Sequence, residues 1–474
     1  MAIPPVIEFV VKQGDGYCSG CGVCVGICPT QAIRMGWNEL GMLEPVLGDS
    51  DCILCNRCLT VCPFADGLAP NQINPNEDEI AKDLFDGVLG DYHPALGFYQ
   101  ECWVGHAPAT RMLGSSGGLG TWLSISLLKQ GIVDKVISVA PVRGNTSPFF
   151  QYTISSTPEE VLSCAKSRYY PVHVADVLQS VREEKARYAI VALPCVLKAI
   201  RLAQRLDTTL RKSIIFCIGV FCGGGKTSYF VEYLAAKMGI GRDDCFLPDF
   251  RVKNENRLAS CYSFSCSRKS DPAIIMKLDM CSIGDMWGTG FFKPNACDYC
   301  DDITAELSDI SLGDAWLPEY VDDWQGNNLL IVRSDVARQL VSAGILQGEL
   351  ELVPISPPQI VESQAGNYRH RCEGLAYRLH FAVRAHCNVP RKRTRPLRFV
   401  FNPLKSRLYR QRMQVRELSH TAWLKQRETT GTEMFDAEMQ GPLRFLNLWS
   451  RIVFFPRLIL SALSKRWACF WRGK

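Results

Sequence analysis

Two copies of one cysteine pattern near the start of the chain constrain its fold more than any other feature. The stretch CSGCGVCVGICP begins at residue 18 and CILCNRCLTVCP begins at residue 52, and both follow the spacing C-x2-C-x2-C-x3-C-P. Three closely spaced cysteines wrap a tight loop, the fourth opens a short helix, and the proline redirects the chain. The chain therefore offers two groups of four thiolates between residues 18 and 62.

This spacing predicts two 4Fe-4S clusters in a ferredoxin domain of the bacterial type. In that arrangement the fourth cysteine of each motif binds the cluster of the other motif. The first predicted set of ligands is Cys18, Cys21, Cys24 and Cys62. The second predicted set is Cys28, Cys52, Cys55 and Cys58. Two zinc sites are the alternative, but zinc prefers separated CxxC pairs and has little use for two such quartets.

Cysteine usage also indicates the compartment. The chain has 22 cysteines, and eight of them stand in the close spacing that suits metal better than disulfides. The first residues, MAIPPVIEFVVK, lack the basic start and long apolar run of a secretory signal. We therefore expect a reducing, cytoplasmic environment.

The length of 474 residues predicts two or three domains. We assign residues 1–68 to the ferredoxin domain and the Pro/Asn/Asp-rich residues 69–90 to a linker. Residues 91–375 alternate short apolar runs such as YAIVAL with helix-like stretches such as CVLKAIRLAQRL. This alternation predicts an α+β chain whose large domain is a mixed α/β fold. Residues 376–474 read as a basic, aromatic-rich helical tail.

Four more cysteines in the large domain suggest a further metal site. Two of them follow predicted strands and two form a CxxC pair; they are Cys195, Cys222, Cys297 and Cys300, which we name the third set. Loops at strand ends can converge on a CxxC pair, so we predict a third 4Fe-4S cluster there. The alternative is buried free cysteines, because cysteine is common in protein cores.

Two glycine-rich stretches could face a phosphate. LGSSGGLGTWL, residues 113–123, runs into a predicted helix, and backbone amides at a helix start favour anions such as a dinucleotide pyrophosphate. Such loops also serve as ordinary helix caps. CGGGKTS resembles a nucleotide-binding P-loop, but Val220 stands where that motif needs its first glycine, so we do not predict a P-loop.

Six stretches in order resemble one family. They are SSGGLGTWL, CAKSRYYPV, LPCVLKAIR, VFCGGGKTS, PDFRVK and CDYCDDITAELSDISLGDAW. Together they resemble the beta-subunit family of the hydrogenases and dehydrogenases that use the deazaflavin coenzyme F-420, to which plant 7-hydroxymethyl chlorophyll a reductase is also similar. The resemblance spans about residues 15–335 and leaves out the tail.

This resemblance implies FAD in the large domain. Carried over by position, the phosphate contacts are Ser115, Ser116, Gly117 and Gly118. Contacts to the flavin or its ribityl chain are Lys166, Ser167, Arg168 and Tyr169. The third set matches the family's own cluster positions. Val196 stands where the family often has glutamine, which puts one polar contact of the site in doubt.

These parts predict an iron-sulfur flavoprotein oxidoreductase that moves electrons between a one-electron carrier, such as ferredoxin, and a two-electron substrate at FAD. Arg168 or Lys166 would stabilise the anionic reduced flavin, unless both are solvated surface charges. One alternative is a non-catalytic subunit that relays electrons to a partner enzyme, and another is an oxidoreductase that depends on coenzyme F-420. No residue is assigned to catalysis, and the substrate is not predicted.

The tail is strongly basic. Residues 381–474 hold 20 Lys or Arg against 5 Asp or Glu, whereas the rest of the chain has a net charge of −10. Arg451, Pro456 and Arg457 interrupt the apolar end, so we expect no membrane span. Our hypothesis is an interfacial helix on anionic lipid, with partner docking or packing on the body as alternatives. We expect no nucleic-acid binding.

Overall fold

The computed structural model describes residues 2–13, 16–142, 148–397 and 403–471, with side chains described up to residue 454. The strands are β1 Ile33–Trp37, β2 Leu43–Leu47, β3 Asp91–His93, β4 Gly97–Tyr99, β5 Glu101–His106, β6 Lys135–Pro141, β7 Phe150–Ser155, β8 Tyr188–Ala192, β9 Ile214–Val220, β10 Cys245–Val252, β11 Ser263–Arg268, β12 Met276–Asp279, β13 Ile310–Asp314, β14 Asn328–Val332 and β15 Glu351–Pro354.

Helices connect and cover these strands. They are α1 Val23–Gly26, α2 Arg57–Thr60, α3 Glu77–Leu84, α4 Pro108–Arg111, α5 Leu119–Lys129, α6 Pro158–Ser163, α7 Ala175–Glu183, α8 Pro194–Leu206, α9 Thr208–Ser213, α10 Tyr229–Lys237, α11 Pro318–Val321, α12 Asp335–Leu346, α13 Pro357–Ser363, α14 Ala365–Tyr368, α15 Leu375–Arg384, α16 Pro403–Gln426 and α17 Glu433–Trp471. A short 3-10 turn at Met280–Ser282 follows β12, and another at Asn295–Tyr299 contains Cys297.

The two cysteine motifs fold as two copies of one local structure. Each motif places a one-turn helix, α1 or α2, around its third cysteine, and each helix follows a residue in the left-handed region: Gly22 at φ +79 and Asn56 at φ +58. The prediction that the fourth cysteine opens the helix was wrong, because Cys28 and Cys62 follow the helices instead. Strands β1 and β2 pair antiparallel between the motifs. The doubling of the motif in the sequence is therefore matched by a doubled loop-helix unit in the structure.

An eight-stranded mixed sheet forms the centre of the large domain, in the order β15-β5-β14-β13-β9-β8-β6-β7. Neighbours β6, β8, β9 and β13 run parallel, while the outer strands are antiparallel. The parallel strands read as continuous apolar runs because helices cover both faces. Helix α8 begins directly after β8 with Pro194, whose fixed φ suits the first turn of a helix. The expected mixed α/β fold is confirmed.

A smaller sheet, β10-β11-β12, is antiparallel throughout. Its inner face meets an aromatic core in which Phe230, Phe250 and Phe264 are buried. The ring centroids of Phe230 and Phe250 lie 6.1 Å apart in a stacked arrangement. This core joins the small sheet to helix α10 and to the tail.

The segment predicted as a linker and the tail both pack on the body. Within residues 69–90, helix α3 carries a capping box at Asn76, and its Ile80 is buried. In the tail, Leu408 and Trp423 are buried in the aromatic core, and Trp423 Nε1 donates a hydrogen bond of 3.1 Å to Glu232. Packing on the body was one of the three alternatives for the tail, and it holds for α16 and the start of α17.

The lipid hypothesis concerns mainly the end of the tail. The backbone of α17 continues through Pro456 to Trp471, but its side chains beyond residue 454 lie outside the described part. In the part that the structure describes, no helix is both long enough and apolar enough to pass through a bilayer.

Candidate functional site

The first set of cysteines comes together across the two motifs. Burial raises the pKa of the Cys24 thiol well above its usual range, and the neighbouring thiols of Cys21, Cys18 and Cys62 raise it further. Cys62 belongs to the second motif, so the structure places it beside the three leading cysteines of the first. This position of Cys62 is the one that an exchange of fourth ligands requires, and the ligand sets themselves stay a prediction.

The second set lies nearer the surface. Burial raises the pKa of Cys58 to about 11, with smaller contributions from Cys52 and Cys55. Cys55 is exposed, and Ile53, two residues before it, is 62% exposed. In both motifs the first thiol accepts a backbone hydrogen bond of 3.4 Å, from Gly20 N to Cys18 Sγ and from Leu54 N to Cys52 Sγ. Such N–H···S bonds stabilise the negative charge of an iron-sulfur cluster.

A cavity of about 600 Å³ lies between the central sheet, the small sheet and the ferredoxin domain. All four cysteines of the third set line it, together with Cys18 and Cys21. Cys195 stands in the first turn of α8, and Cys222 follows β9. Because β8 and β9 are parallel neighbours, their carboxyl ends meet at one edge of the sheet, as ligand sites in such sheets do. Among the described residues, no three His, Cys, Asp or Glu side chains could hold a single metal ion.

The third set is surrounded by donors. Burial raises the pKa of the Cys195 thiol most, and the thiols of Cys300 and Cys222 raise it further. Gly225 N donates a hydrogen bond of 3.2 Å to Cys297 Sγ, and Arg371 Nη2 donates one of 3.5 Å to Cys222 Sγ. A buried cation and a backbone amide aimed at sulfur suit a negatively charged cluster.

Sequence reasoning missed Arg371. Its side chain is 1% exposed, and its Nη1 donates to the carbonyl of Asp302 at 3.1 Å. Burial opposes the charge, but the thiols of Cys300, Cys222 and Cys297 raise its pKa above the usual range. Arg371 lies 71 residues beyond the CxxC pair, so no local spacing could connect them.

The ferredoxin domain packs directly against this region. Val174 N donates a hydrogen bond of 2.9 Å to the carbonyl of Cys21, and a Cβ at Gly22 would lie 2.8 Å from His173 Cβ. The Cys21 thiol also raises the pKa of Cys195, after burial and the thiols of Cys300 and Cys222. The first and third sets are therefore neighbours across this interface.

The predicted phosphate loop divides into two roles. Ser115, Ser116 and Gly118 line the cavity. Gly117 is not among the lining residues and packs behind the loop, where a Cβ would lie 2.6 Å from the carbonyl oxygen of Gly105. Gly118 caps α5 at φ +77, and its Cβ would lie 2.5 Å from the backbone of Thr110. Both glycines are thus required by backbone packing.

Lys166, Ser167, Arg168 and Tyr169 all line the cavity. Ser167 N donates a hydrogen bond of 2.8 Å to Ser115 Oγ, which joins the two predicted cofactor segments. Lys166 and Arg168 both pair with Asp249, the latter at 2.9 Å. Burial lowers the pKa of Arg168, and Asp249 opposes that change. The alternative of solvated surface charges does not hold for Arg168, whose side chain is 9% exposed.

Two basic residues, one on β10 and one directly after it, donate hydrogen bonds to the carbonyls of the predicted phosphate loop. Arg251 lies at φ +58, pairs with Asp314 at 2.8 Å and donates to the carbonyl of Ser115 at 3.2 Å. Lys253 donates to the carbonyl of Ser116 at 2.9 Å, and burial lowers its pKa to about 8. The sequence stretches PDFRVK and GDAW contain these residues, but the sequence alone gave them no role.

Lys226, from the stretch that resembles a P-loop, is held by backbone. Its Nζ donates to the carbonyls of Met286 at 2.8 Å and Phe291 at 2.6 Å, and lies 4.5 Å from the Trp287 ring centroid. Burial lowers its pKa to about 7. Val196 is buried in α8 and also lines the cavity. Lys226 therefore supports the wall of the cavity, whereas a P-loop lysine would point at phosphate.

Comparison with known proteins places these features in a family. Two family models describe the beta subunit of coenzyme F420 hydrogenase/dehydrogenase. Residues 102–179 match the model of its N-terminal part, and residues 185–358 match the model of its C-terminal part. Residues 17–65 match the "4Fe-4S dicluster domain".

Three relatives illustrate the range of the similarity. One subunit of the F(420)H(2) dehydrogenase of Methanosarcina mazei is 21% identical over 364 residues, 75% of this chain and 89% of that protein. The beta subunit of coenzyme F420 hydrogenase of Methanococcus voltae is 28% identical over 41% of this chain and 64% of that protein. Coenzyme F420-dependent sulfite reductase of Methanocaldococcus jannaschii is 23% identical over 72% of this chain, which spans about half, 48%, of that longer protein.

A solved structure is also similar. A chain of the F420-reducing nickel-iron hydrogenase complex from Methanosarcina barkeri aligns over 66% of this chain and 99% of its own length, at 15% identity and a TM-score of 0.47. The family models and the dicluster match rest on sequence and agree with the order of elements described above. The chain therefore belongs to the coenzyme F420 hydrogenase/dehydrogenase beta-subunit family and carries a 4Fe-4S dicluster domain at its N-terminal end.

Proposed function

We propose that this chain is an iron-sulfur flavoprotein oxidoreductase that transfers electrons between a one-electron carrier, such as a ferredoxin, and a two-electron substrate at FAD. The observation that carries the proposal is a single cavity lined by the third set of cysteines, by two cysteines of the first set and by both predicted FAD segments. Its volume of about 600 Å³ lies within the range of cofactor pockets.

The residues present fit a dinucleotide. Ser115 and Ser116 face the cavity before helix α5, where the backbone favours phosphate. Lys166, Arg168 and Arg251 line the same cavity, so its wall carries positive charge of the kind that binds phosphate groups.

Electron transfer follows from the order of the cysteine sets. FAD exchanges electron pairs as well as single electrons, whereas 4Fe-4S clusters carry single electrons only. The second set reaches the surface at Cys55, and its Cys58 thiol is close enough to raise the pKa of Cys24 after burial and the first-set thiols. The first set in turn adjoins Cys195 of the third set. The three sets therefore form a continuous series from the surface to the cavity.

The chain's own side chains prepare the cavity for negative charge. Lys166, Arg168 and Arg251 line it, and each is oriented by a carboxylate, either Asp249 or Asp314. Tyr169 and Trp287, 4.7 Å apart at their ring centroids, form an aromatic part of the wall. Positive charges already oriented toward a site stabilise a developing anion there without further reorganisation.

A relay subunit is the second candidate function. Two relatives are named as subunits, which favours a chain that passes electrons to a partner enzyme. Use of coenzyme F-420 as the two-electron substrate is suggested by the same names. Purified protein supplied with reduced ferredoxin separates these cases: turnover of F-420 by the chain alone supports the enzyme, and turnover that requires a second protein supports the relay.

Cofactor content tests the proposal first. Anaerobically purified protein should contain about twelve iron atoms, as three cubanes require, and one FAD per chain. Cys297→Ala should reduce iron to about eight atoms per chain, the content of two cubanes, while Cys372→Ala, at an exposed cysteine outside the cavity, should leave it unchanged. About eight iron atoms, again two cubanes, and no flavin in the unaltered protein would contradict both the third cluster and the FAD site.

A further inference from the structure

Two cysteines outside all three sets face each other at the edge of the small sheet. The Sγ atoms of Cys261 and Cys281 lie 2.7 Å apart, so no other atom separates them. Cys281 is exposed and Cys261 is half-buried. Neither residue lines the cavity, and no cysteine motif discussed above includes them.

Strand register explains the close approach. In the antiparallel pair β11–β12, Ser263 is opposite Asp279, and continuing the register by two residues sets Cys261 opposite Cys281. The ladder does continue there, because Met280 N donates a hydrogen bond of 3.1 Å to the carbonyl of Tyr262. Opposed residues of an antiparallel pair have Cα atoms about 4.5–5.5 Å apart, which lies within the range of disulfides. A bond between the two sulfurs therefore needs little backbone movement.

The surroundings of the pair act on its thiols in two directions. Partial burial and the Cys261 thiol raise the pKa of Cys281 to about 11, whereas the Arg257 guanidinium opposes that rise. Arg257 lies beside the pair. Its pKa is raised chiefly by Asp279 and, to a smaller extent, by the thiols of Cys261 and Cys281. A nearby cation stabilises a thiolate, which is the nucleophile in disulfide exchange. Access from solvent is available at Cys281. Cys245 and Cys266 on the same sheet are buried instead.

The pair also connects to the cavity. Tyr262 stands between Cys261 and the first residue of β11, lines the cavity and lies with its ring 4.4 Å from the Arg251 guanidinium. Met280, its ladder partner, is buried. A bond from residue 261 to residue 281 would close a ring around the Tyr262–Met280 pair and restrain the tyrosine against Arg251.

We propose that Cys261 and Cys281 are a redox-active dithiol that forms a reversible disulfide by exchange with a low-molecular-weight disulfide. One thiolate attacks the oxidant's S–S bond, releasing one thiol and forming a mixed disulfide. The second thiolate then attacks the mixed disulfide, forming the internal S–S bond and releasing the second thiol. Two electrons and two protons pass from the protein to the oxidant. In a reducing compartment such bonds are transient and act as sensors.

The test uses the full-length protein with its cofactors, kept anaerobic and equilibrated with mixtures of glutathione and glutathione disulfide. Acid quenching, alkylation of free thiols and peptide mapping by mass spectrometry then quantify the bond between residues 261 and 281. We expect most chains to carry it in excess glutathione disulfide and to lose it again in excess glutathione. Cys281→Ser should abolish it, whereas Cys387→Ser, at another exposed cysteine, should not.

Two results would overturn the proposal. One is glutathione attached separately to Cys261 or Cys281 without an internal bond. The other is full alkylation of both thiols at the most oxidising mixture. Because both readouts use the unaltered protein, a variant that fails to fold leaves the test intact. Hydrogen exchange provides the test of the link to the cavity: the amides of Tyr262 and Met280 should exchange at least threefold more slowly in the oxidised form, and equal rates would exclude the restraint on Tyr262.

Discussion

Arg371 should set the reduction potential of the cluster that we propose at the third set. The guanidinium is buried against Cys222 and near Cys297 and Cys300. Reduction adds a negative charge to a cluster, and a fixed cation nearby stabilises that charge. Arg371→Gln removes the cation but keeps a side-chain amide donor, so the potential of this cluster should fall while those of the other two should stay within error.

The size of the effect follows from Coulomb's law. For a charge roughly 6 Å from the cluster centre and an effective dielectric constant of about 20, the interaction is about 3 kcal/mol. For a one-electron couple this corresponds to a fall of about 120 mV. Arg371→Lys retains the charge and should shift the potential by less than about a third of that amount, on the same Coulomb estimate.

The assay is an anaerobic redox titration followed by electron paramagnetic resonance. The signal of this cluster is identified as the one missing in Cys297→Ala. Iron content and far-ultraviolet circular dichroism confirm that each Arg371 variant is folded and loaded. A fall below about 30 mV, a quarter of the Coulomb value, in a fully loaded Arg371→Gln protein, or equal falls in the Gln and Lys variants, would refute the electrostatic reasoning.

Three further predictions concern the loop, the tail and pH. Gly118→Ala places a side chain at a residue with φ +77, against the backbone of Thr110. FAD content should therefore fall at least tenfold, while iron should stay at or above about eight atoms per chain, the content of two cubanes. Full FAD content would contradict the role of this loop. Trp423→Ala removes a buried ring from the aromatic core and should lower the free energy of unfolding by about 3–5 kcal/mol, measured by denaturant titration of wild type and variant; a change under about 1 kcal/mol would mean that α16 is not part of the core. Burial lowers the pKa of His420 to about 4, against about 6.5 in an unfolded chain, so the unfolded state takes up the proton first as pH falls. The free energy of unfolding should therefore drop by about 2 kcal/mol between pH 7 and pH 5 because of this residue. His420→Gln should lack that part of the pH dependence, measured by thermal unfolding. Identical pH profiles of the wild type and the variant would contradict the assignment.

Much of the ferredoxin domain could be predicted from spacing alone. Its metal-binding loops are local, because three ligands lie within seven residues of each other, and the conformation of such a loop depends on few distant contacts. The same holds for strand β8 and helix α8, where an apolar run ends at Leu193-Pro194. The family resemblance in the large domain followed from short stretches of this kind and is confirmed by the family models.

Contacts between distant segments required the tertiary structure. Arg371 reaches Cys222 across 149 residues, and Arg251 reaches the Ser115 carbonyl across 136 residues. The basic composition of the tail suggested a lipid surface, but α16 places Leu408 and Trp423 in the core because apolar residues spread along a basic helix can share one face. The family resemblance indicates a phosphate contact at Gly117, whereas the close approach of β5 and β14 explains its lack of a side chain.

The sequence by itself determined that the chain has a doubled cysteine motif and predicted which residues bind clusters, since those features depend on spacing along a short loop. Only the tertiary structure decided that the first set adjoins the third, that both predicted FAD segments share their cavity, and that Cys261 meets Cys281. These relations depend on the order and register of strands in two sheets. Strand order joins segments far apart in the chain, and local composition does not encode which distant strand becomes the neighbour.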